Sequence, residues 1–233
     1  MHLKDKLLVF VDEGFWAGDK SQAGVLRGLI TENKIQIEPK GVNPFPVDNH
    51  MRFIIASNSD WIVPAALDER RVFVVDVSSK RQRDYEYFNA LVHQMDSGGR
   101  EAMLYDLLEH DYPNVNLREF PRTGALLDQI LHSASSVEKF WFEKLQESLW
   151  VERVSTDEFY DEYIEYSQKM GLKYPSNKRQ FGKELRRLCP TMKRGRPALS
   201  DGTRQYEYAF PSLDECREQF EEQVGMAINW EET

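Results

Sequence analysis

The chain has 233 residues, with 30 Lys and Arg against 39 Asp and Glu, a formal net charge of −9. Its 41% hydrophobic and 12% aromatic residues can build a buried core, which excludes global disorder. The acidic balance excludes a uniformly basic nucleic-acid binder but permits a local basic patch. Because the first apolar run, Leu7–Val11, is too short for a signal peptide or a membrane span, we expect a cytoplasmic protein without a membrane partner.

Short apolar runs in the first third predict an α/β unit. The runs Leu7–Val11 and Arg52–Ala56 are typical of strands buried on both faces, and Val72–Val77 is a third such run. Between the first two, the pattern predicts a helix over Ser21–Ile30 and then a hairpin with its turn at Pro39–Gly41.

Helices dominate the middle of the chain. Amphipathic patterns predict helices over Tyr85–Met95 and Arg100–Leu108. A longer helical stretch is predicted over Gly124–Trp150, with the alternative that Ser136 caps a second helix within it.

The last third predicts a helix, a second helix and a two-stranded wing. Ser155–Glu158 is a capping box that starts the first helix, and the second runs over Asn177–Leu188. Strand-like arms, Met192–Arg196 and Arg204–Phe210, flank an Asp-Gly turn at Ser200–Thr203. This order is the pattern of a winged helix. Its aromatic residues are predicted to be core rather than a base-stacking platform: Phe159, Tyr163, Tyr166, Tyr206, Tyr208 and Phe210.

A dense basic segment lies in this otherwise acidic chain. Eight basic residues and only one acid, Glu184, fall between residues 178 and 196. On the second helix and the wing they could contact DNA phosphates or the major groove. The alternative is a solvated face that complements the acidic C-terminal stretch, and we favour DNA binding. The residues are Lys178, Arg179, Lys183, Arg186, Arg187, Lys193, Arg194 and Arg196.

An acidic pair follows the first predicted strand directly, because Val9-Phe10-Val11 leads into Asp12 and Glu13. A buried parallel strand places its last residues at the sheet edge where α/β proteins bind ligands. Asp12 could there hold Mg²⁺, and Glu13 could polarise a water for attack on a γ-phosphate. The alternative is a strand that ends in a solvated acidic turn.

Polar residues also flank the other two predicted strands. Asn58 follows the second, where its amide could sense a γ-phosphate or form an Asn-Ser turn. Arg70 and Arg71 precede the third, where a guanidinium could reach the nucleotide of a neighbouring subunit. A local ion pair with Asp68 or Glu69 is the alternative for the arginines.

The order of these features resembles a superfamily 3 helicase, most of all the helicase part of phage, plasmid and poxvirus-type primase-helicases. The resemblance covers about residues 7 to 120 and rests on LLVFVDEGFWAGD, ITENKIQIEPKGVNPFPV, FIIASNSD and DERRVFVVDV together. It implies an α/β fold: a partial AAA+-like P-loop ATPase sheet from the Walker B strand to the arginine-finger strand, a helical connector and a C-terminal winged helix. The expected domains are the ATPase portion at 1–120, the connector at 121–152, the winged helix at 153–212 and an acidic helical tail at 213–233.

The resemblance assigns a role to each candidate nucleotide-site residue. Asp12 and Glu13 match the Walker B acids, with Asp12 as the Mg²⁺ ligand. Asn58 matches the sensor asparagine. Arg70 or Arg71 matches the arginine finger, and the resemblance does not choose between them.

The resemblance also implies partners and cofactors. Lys40 matches a hairpin lysine that faces the central DNA channel, where a lysine can follow backbone phosphates without reading bases. Members of the family use ATP and Mg²⁺, unwind DNA and usually form hexameric rings. The expected setting is the cytoplasm of a bacterial host, with a phage or mobile element as the source.

One part of the family pattern is missing from this chain. The family carries a phosphate-binding loop, G-x-x-x-x-G-K-[ST], before the Walker B strand, and no such motif occurs here. We therefore expect the C-terminal part of a larger phage or plasmid replication helicase-primase, with little or no ATPase activity alone. The alternative is a non-catalytic, helicase-derived protein that binds DNA or a protein partner.

Overall fold

The computed structural model describes residues 3, 5–13, 20–38, 40–111, 116, 119–147, 149–198 and 204–231, and for residues 20–23 the backbone alone. Within this part of the chain, α-helices and small sheets make a mixed α/β fold. None of the helices described is both long enough and apolar enough to cross a membrane.

The first part of the chain contains four short strands and one helix. They are β1 (Leu8–Val11), α1 (Lys20–Thr31), β2 (Lys34–Ile37), β3 (Phe45–Asp48) and β4 (Arg52–Ile55). Strand β1 pairs in parallel with β4, and β2 pairs with β3 in an antiparallel hairpin. The predicted helix and hairpin are therefore confirmed. The hairpin connection includes Gly41, whose φ of +79° favours glycine, whereas Pro39 lies outside the described residues.

Two predictions for this part of the chain are wrong. Strands β1 and β4 are not buried on both faces, because Phe10 is 61% exposed and Ile54 is 50% exposed. The predicted third strand, Val72–Val77, does not form, and no strand pairing among the described residues includes that segment. A strand requires a neighbour to take its backbone hydrogen bonds, and the described part of β4 pairs with β1 alone. Among the described residues, the sheet that contains β1 and β4 therefore has two strands.

The middle of the chain is helical, as predicted. Helices α2 (Tyr85–Gln94) and α3 (Arg100–Glu109) are joined by a π-helical turn at Met95–Gly99. The helical path is kinked there, where Gly98 has a φ of +96°. Neither helix has a buried residue.

The long helical stretch that begins at Gly124 is divided into two helices. They are α4 (Gly124–Ser133) and α5 (Ser136–Gln146). The alternative of a second helix is therefore right, although the cap is Ser135 rather than Ser136. The Ser135 hydroxyl accepts a hydrogen bond from the Glu138 amide, and the Glu138 carboxylate accepts one from the Ser135 amide in return.

The C-terminal part alternates helices with a small antiparallel sheet. Its elements are β5 (Arg153–Ser155), α6 (Thr156–Lys169), α7 (Lys178–Leu188), β6 (Lys193–Gly195), β7 (Glu207–Ala209) and α8 (Leu213–Val224). The strand order is β5–β7–β6, so the predicted helices and both predicted arms are confirmed. Asn177 caps α7 and exchanges hydrogen bonds with Gln180. The predicted Asp-Gly turn lies outside the described residues.

Aromatic side chains hold the C-terminal part together. Phe181 of α7 is fully buried and stacks on Tyr163 of α6, with ring centroids 4.8 Å apart. The rings of Phe140 on α5 and Phe159 on α6 also pack beside Phe181. Each has its centroid 5.9 Å from that of the Phe181 ring. The cluster extends from Ala65 to Ile228 in sequence, so one core joins α4 to α8 with the loop before Glu69.

Candidate functional site

The predicted acidic pair and the predicted sensor residue share one edge of the β1–β4 sheet. Asp12 and Glu13 follow β1 directly, and Asn58 comes shortly after β4. The strands are parallel, and the Ala56 amide donates to the carbonyl of Val11 at 3.0 Å, which aligns their C-terminal ends. All three predicted site side chains are exposed. The fold therefore brings these residues to one sheet edge, as the prediction required.

The backbone at this edge is unusual for its sequence. Glu13 has a φ of +53°, in the left-handed region that side chains other than glycine seldom adopt. Glu13 adopts this conformation immediately after Asp12. Backbone strain of this kind concentrates at functional sites.

The residues at this edge fit one of the two expected cofactors in part. Mg²⁺ is held by one or two carboxylates together with waters and substrate phosphates, and Asp12 and Glu13 offer two carboxylates. Among the described residues there is no group of three or more acids, histidines or cysteines around a common point. ATP also needs backbone amides from a glycine-rich loop, and the sequence has no such motif. This chain alone does not fit ATP.

The predicted arginine pair is organised by a buried carboxylate. Glu69 is 2% exposed, and its Oε1 accepts hydrogen bonds from the amides of Arg70 (3.0 Å) and Arg71 (2.8 Å). The guanidinium of Arg71 also lies 3.6 Å from that oxygen. Arg122 holds the same turn by donating to the carbonyl of Glu69. The alternative of a local ion pair is thus realised for Arg71.

Arg70 is the cation of the pair that stays available. Its side chain is exposed and has no ion pair among the described residues. It lines a cavity of about 330 Å³ together with Phe120 and Arg122. Lys40 is also exposed, in the connection between β2 and β3, and has no ion pair with a described residue. No strand pairing in the described chain connects Arg70 to the edge that carries Asp12.

The eight basic residues of the C-terminal part are all exposed, but they differ in what they contact. Lys178 forms an ion pair with Asp157, and Arg187 forms one with Glu138. Within the described chain the remaining six have no ion pair with a carboxylate: Arg179, Lys183, Arg186, Lys193, Arg194 and Arg196. Helix α7 therefore presents three uncompensated cations in an acidic protein.

The cations of α7 and those of β6 converge at Tyr208. Burial raises the pKa of the Tyr208 hydroxyl, and the charges of Arg194 and Arg186 act in the opposite direction. Arg194 lies directly opposite Tyr208 in the β6–β7 ladder. The pKa of the Tyr208 hydroxyl is thus affected by Arg186 on helix α7 and by Arg194 on strand β6. Both elements therefore carry a guanidinium close enough to Tyr208 to act on its pKa.

Tyr206 departs from the aromatic prediction. Phe159, Tyr163, Tyr208 and Phe210 are buried in the core as expected, but Tyr206 is 45% exposed. The position precedes β7 at the end of the sheet, where no helix covers the ring. The guanidinium carbons of Arg194 and Arg196 lie over that ring, 4.4 Å and 5.1 Å from its centroid.

Comparison with known proteins gives one family and one kind of fold. A family of unknown function, DUF5906, matches residues 1–71. No curated protein sequence matches the chain. The chain is similar to an apo structure of the NrS-1 C-terminal region, with a TM-score of 0.59, 12% identity and 90% of this chain covered. It is also similar to a second apo structure of that region, in its A form, with a TM-score of 0.57, 15% identity and the same coverage.

The chain spans 56% of the length of each of these two structures. At such low identity the likeness concerns the fold alone. It shows for this chain a fold like that of the NrS-1 C-terminal region.

Sequence reasoning missed three residues at these sites. Glu69 was considered only as a surface ion-pair partner, whereas its buried carboxylate shapes the arginine turn. Arg122 carries no local signal, because its contact with Glu69 joins residues distant in sequence. Tyr206 had no such signal either, because counting back from the predicted Asp-Gly turn pairs it with Pro197, whereas the observed register places Arg196 opposite it.

Proposed function

We propose that this chain is the C-terminal part of a phage or plasmid replication helicase or primase-helicase, and that its C-terminal unit is a winged helix that binds DNA. The observation that carries the proposal is the exposed face of α7, whose Arg179, Lys183 and Arg186 form no ion pair within the described chain, in a protein of net charge −9. Such a local patch in an acidic protein is an electrostatic footprint of nucleic acid. The fold's likeness to the NrS-1 C-terminal region supports the same assignment.

The order of elements supports the winged helix. Helix α5, strand β5, helices α6 and α7 and the β6–β7 arms follow one another as in that fold, and β7 lies between β5 and β6 in the sheet. Helix α7 would be the recognition helix, with its exposed residues toward a groove or the backbone. Its inner face is anchored by Phe181, Leu185 and Leu188, all fully buried. A rigid helix of this kind can hold Arg179, Lys183 and Arg186 in a fixed pattern.

The first part of the chain would supply the later portion of a nucleotide site. Asp12 would hold Mg²⁺ and Glu13 would orient the attacking water, while Asn58 would contact the γ-phosphate. The phosphate-binding loop would come from a segment that this sequence does not contain. Arg70 would serve as the arginine finger toward a neighbouring subunit of a ring, because Glu69 occupies Arg71. Lys40 would face the DNA path.

The second candidate function is that of a helicase-derived protein that binds DNA without hydrolysing ATP. The missing phosphate-loop motif favours this candidate for the chain as given. Both candidates share the DNA-binding surface, and they differ only in whether ATP is hydrolysed. One set of samples can therefore test both.

The first test is DNA binding by the full chain, measured by fluorescence anisotropy over a salt series with single- and double-stranded probes. We expect affinity to fall steeply with salt. Arg186→Ala should weaken binding at every sequence and reduce the salt slope by about 1. Arg187→Ala is the matched control on the same helix, and it should weaken binding less because Arg187 is paired with Glu138. Binding without salt dependence, or none at low salt, would overturn the proposal.

Hydrolysis of Mg-ATP in the same samples separates the two candidates. Little or no hydrolysis is expected from the isolated chain, with or without DNA. Turnover that DNA stimulates and that Glu13→Gln abolishes would show a complete nucleotide site and would contradict this expectation. Restoration of turnover by an added upstream segment that carries a glycine-rich loop would favour the helicase over the non-catalytic protein.

A further inference from the structure

Tyr206 and two arginines form a compact exposed group at the end of the C-terminal sheet. In the antiparallel register, Gly195 lies opposite Glu207, so Arg196 comes opposite Tyr206 and Arg194 lies one diagonal step away. Both guanidinium carbons lie over the phenol ring, at 4.4 Å and 5.1 Å from its centroid. One aromatic ring thus gathers two cations. Two guanidinium groups held this close would otherwise repel each other.

The ring leaves the hydrogen-bonding edges of both arginines free. A guanidinium that stacks on an aromatic face uses its own face, and its N–H donors lie in the plane and point away from the contact. The negative face of the ring attracts the cation and offsets part of the repulsion. The ring thus gathers two guanidinium groups, and guanidinium forks match phosphate oxygens bidentately.

Hydrogen bonds hold the backbone that carries this ring. The carbonyl of Tyr206 accepts a hydrogen bond from the Thr156 amide at the start of α6, at 2.9 Å. The neighbouring Gln205 side chain donates to the Ser155 hydroxyl at 2.6 Å. The backbone of Tyr206 is thereby tied to the helix that packs against the core. Arg194 and Arg196 therefore lie over a residue whose backbone is held in place.

No described carboxylate neutralises the group. Glu207 is the nearest acid in sequence, but alternation along the strand places its side chain on the opposite face from Tyr206. There it forms an ion pair with Arg153 at 2.6 Å. Within the described chain, Arg194 and Arg196 form no ion pair with any acid. On the same side, Arg186 of α7 acts on Tyr208 together with Arg194.

We propose that Arg194 and Arg196, held by Tyr206, form a clamp for a backbone phosphate of DNA beside the surface of α7. Tyr206 is a positioning residue and does not itself contact the nucleic acid. The ligand is a phosphodiester rather than a stacked base, because the two guanidinium groups cover the ring. This proposal rests on the proposed DNA-binding function and adds to it a second contact region, on the β6–β7 arms.

The test compares substitutions of Tyr206 by anisotropy with the full chain, using single- and double-stranded probes of one length. Tyr206→Leu keeps the bulk but removes the aromatic face, and it should lower affinity for duplex roughly 3- to 10-fold. Tyr206→Phe keeps the face and should bind like the unchanged chain. Tyr174→Leu is the matched control, since Tyr174 lies in the same unit and is 94% exposed. It should leave affinity unchanged.

A double-mutant cycle separates positioning from direct contact. The pair Arg194→Ala with Arg196→Ala should reduce the salt slope by about 2. In that background Tyr206→Leu should have no further effect. A further loss, largest on single strands, would mean that the ring stacks on a base and would overturn the clamp. Circular dichroism of each variant checks that the unit remains folded.

The outcomes also separate this proposal from the one on which it rests. If Arg186→Ala weakens binding while the Arg194 and Arg196 double variant does not, DNA binding stands and the clamp fails. If neither weakens binding, the DNA-binding function itself fails. If Tyr206→Leu matches the unchanged chain while the double variant weakens binding, the arginines act without the ring and Tyr206 is not a positioning residue.

Discussion

The two ends of this molecule use apolar residues in opposite ways. Around Phe181, rings from α5, α6 and α7 pack on one another and leave that side chain with no exposed surface. In the β1–β4 sheet, strands just as apolar in sequence leave Phe10 61% exposed. The difference is in the covering layers, because helices from several elements meet at Phe181. Apolar content therefore makes a core only where other elements supply the opposite surface.

The same contrast separates the two candidate functions. The basic residues of α7 stand on a helix whose inner face is locked by Phe181, Leu185 and Leu188. The acids Asp12 and Glu13 stand at the end of a two-stranded sheet that offers apolar surface on its faces. The proposed DNA-binding surface requires only the packed helix α7. The proposed nucleotide site requires that the β1–β4 sheet edge be completed by a phosphate-binding loop.

The largest expected effect tests the difference in packing. Phe181→Ala should destabilise the C-terminal part by about 3–5 kcal/mol, because it removes a fully buried ring and leaves a cavity. The control Phe10→Ala removes the same ring from an exposed position and should change the free energy of unfolding by less than about 1 kcal/mol. Urea denaturation followed by near-ultraviolet circular dichroism measures both. Equal effects would remove the contrast between the two ends.

A smaller effect should come from the residue that joins the loop after Glu69 to the core. The Thr123 hydroxyl donates to the carbonyl of Val74 at 2.6 Å and caps α4 by accepting from the Leu126 amide. Thr123→Ala should cost about 1–2 kcal/mol, since it removes a helix cap together with this tie. Thr31→Ala is the control, because that exposed hydroxyl donates to the carbonyl of Arg27 within its own helix, α1. Hydrogen exchange of α4 amides reports the local loosening, and protection equal to that of the unchanged chain would contradict the role of Thr123.

The smallest expected effect concerns the pH dependence of stability, which tests the environment of Tyr166 beside the core. Burial, with the Glu143 carboxylate beside it, raises the pKa of Tyr166 to about 12. The folded state therefore keeps a proton that the unfolded state loses near the ordinary tyrosine pKa of 10.0, and stability should fall as pH rises from about 10 to about 12. Tyr166→Phe should make the melting temperature less dependent on pH in that window. An unchanged slope would mean that Tyr166 is not the group responsible.

Much of the local structure could be predicted because its signals are local. Asn177 before an amphipathic run predicted the start of α7, and the capping exchange with Gln180 is observed. The Val72–Val77 segment was mispredicted for a physical reason. Its run of valines favours a strand, but a strand also requires a partner edge. The choice between Arg70 and Arg71 had no local signal either, because it depends on where a buried glutamate lies.

The amino-acid sequence alone determined which elements form in the C-terminal part, the order of its helices and arms, and the concentration of positive charge there. These depend on capping, periodicity and composition, which act over a few residues. Tertiary structure alone decided which cations remain free, since ion pairs such as Arg187 with Glu138 join residues far apart in the chain. It also placed Tyr206 on the surface beneath two arginines, because exposure at the end of a sheet depends on what covers it. Local rules set the conformation of each segment, and long-range packing sets the chemistry that each segment presents.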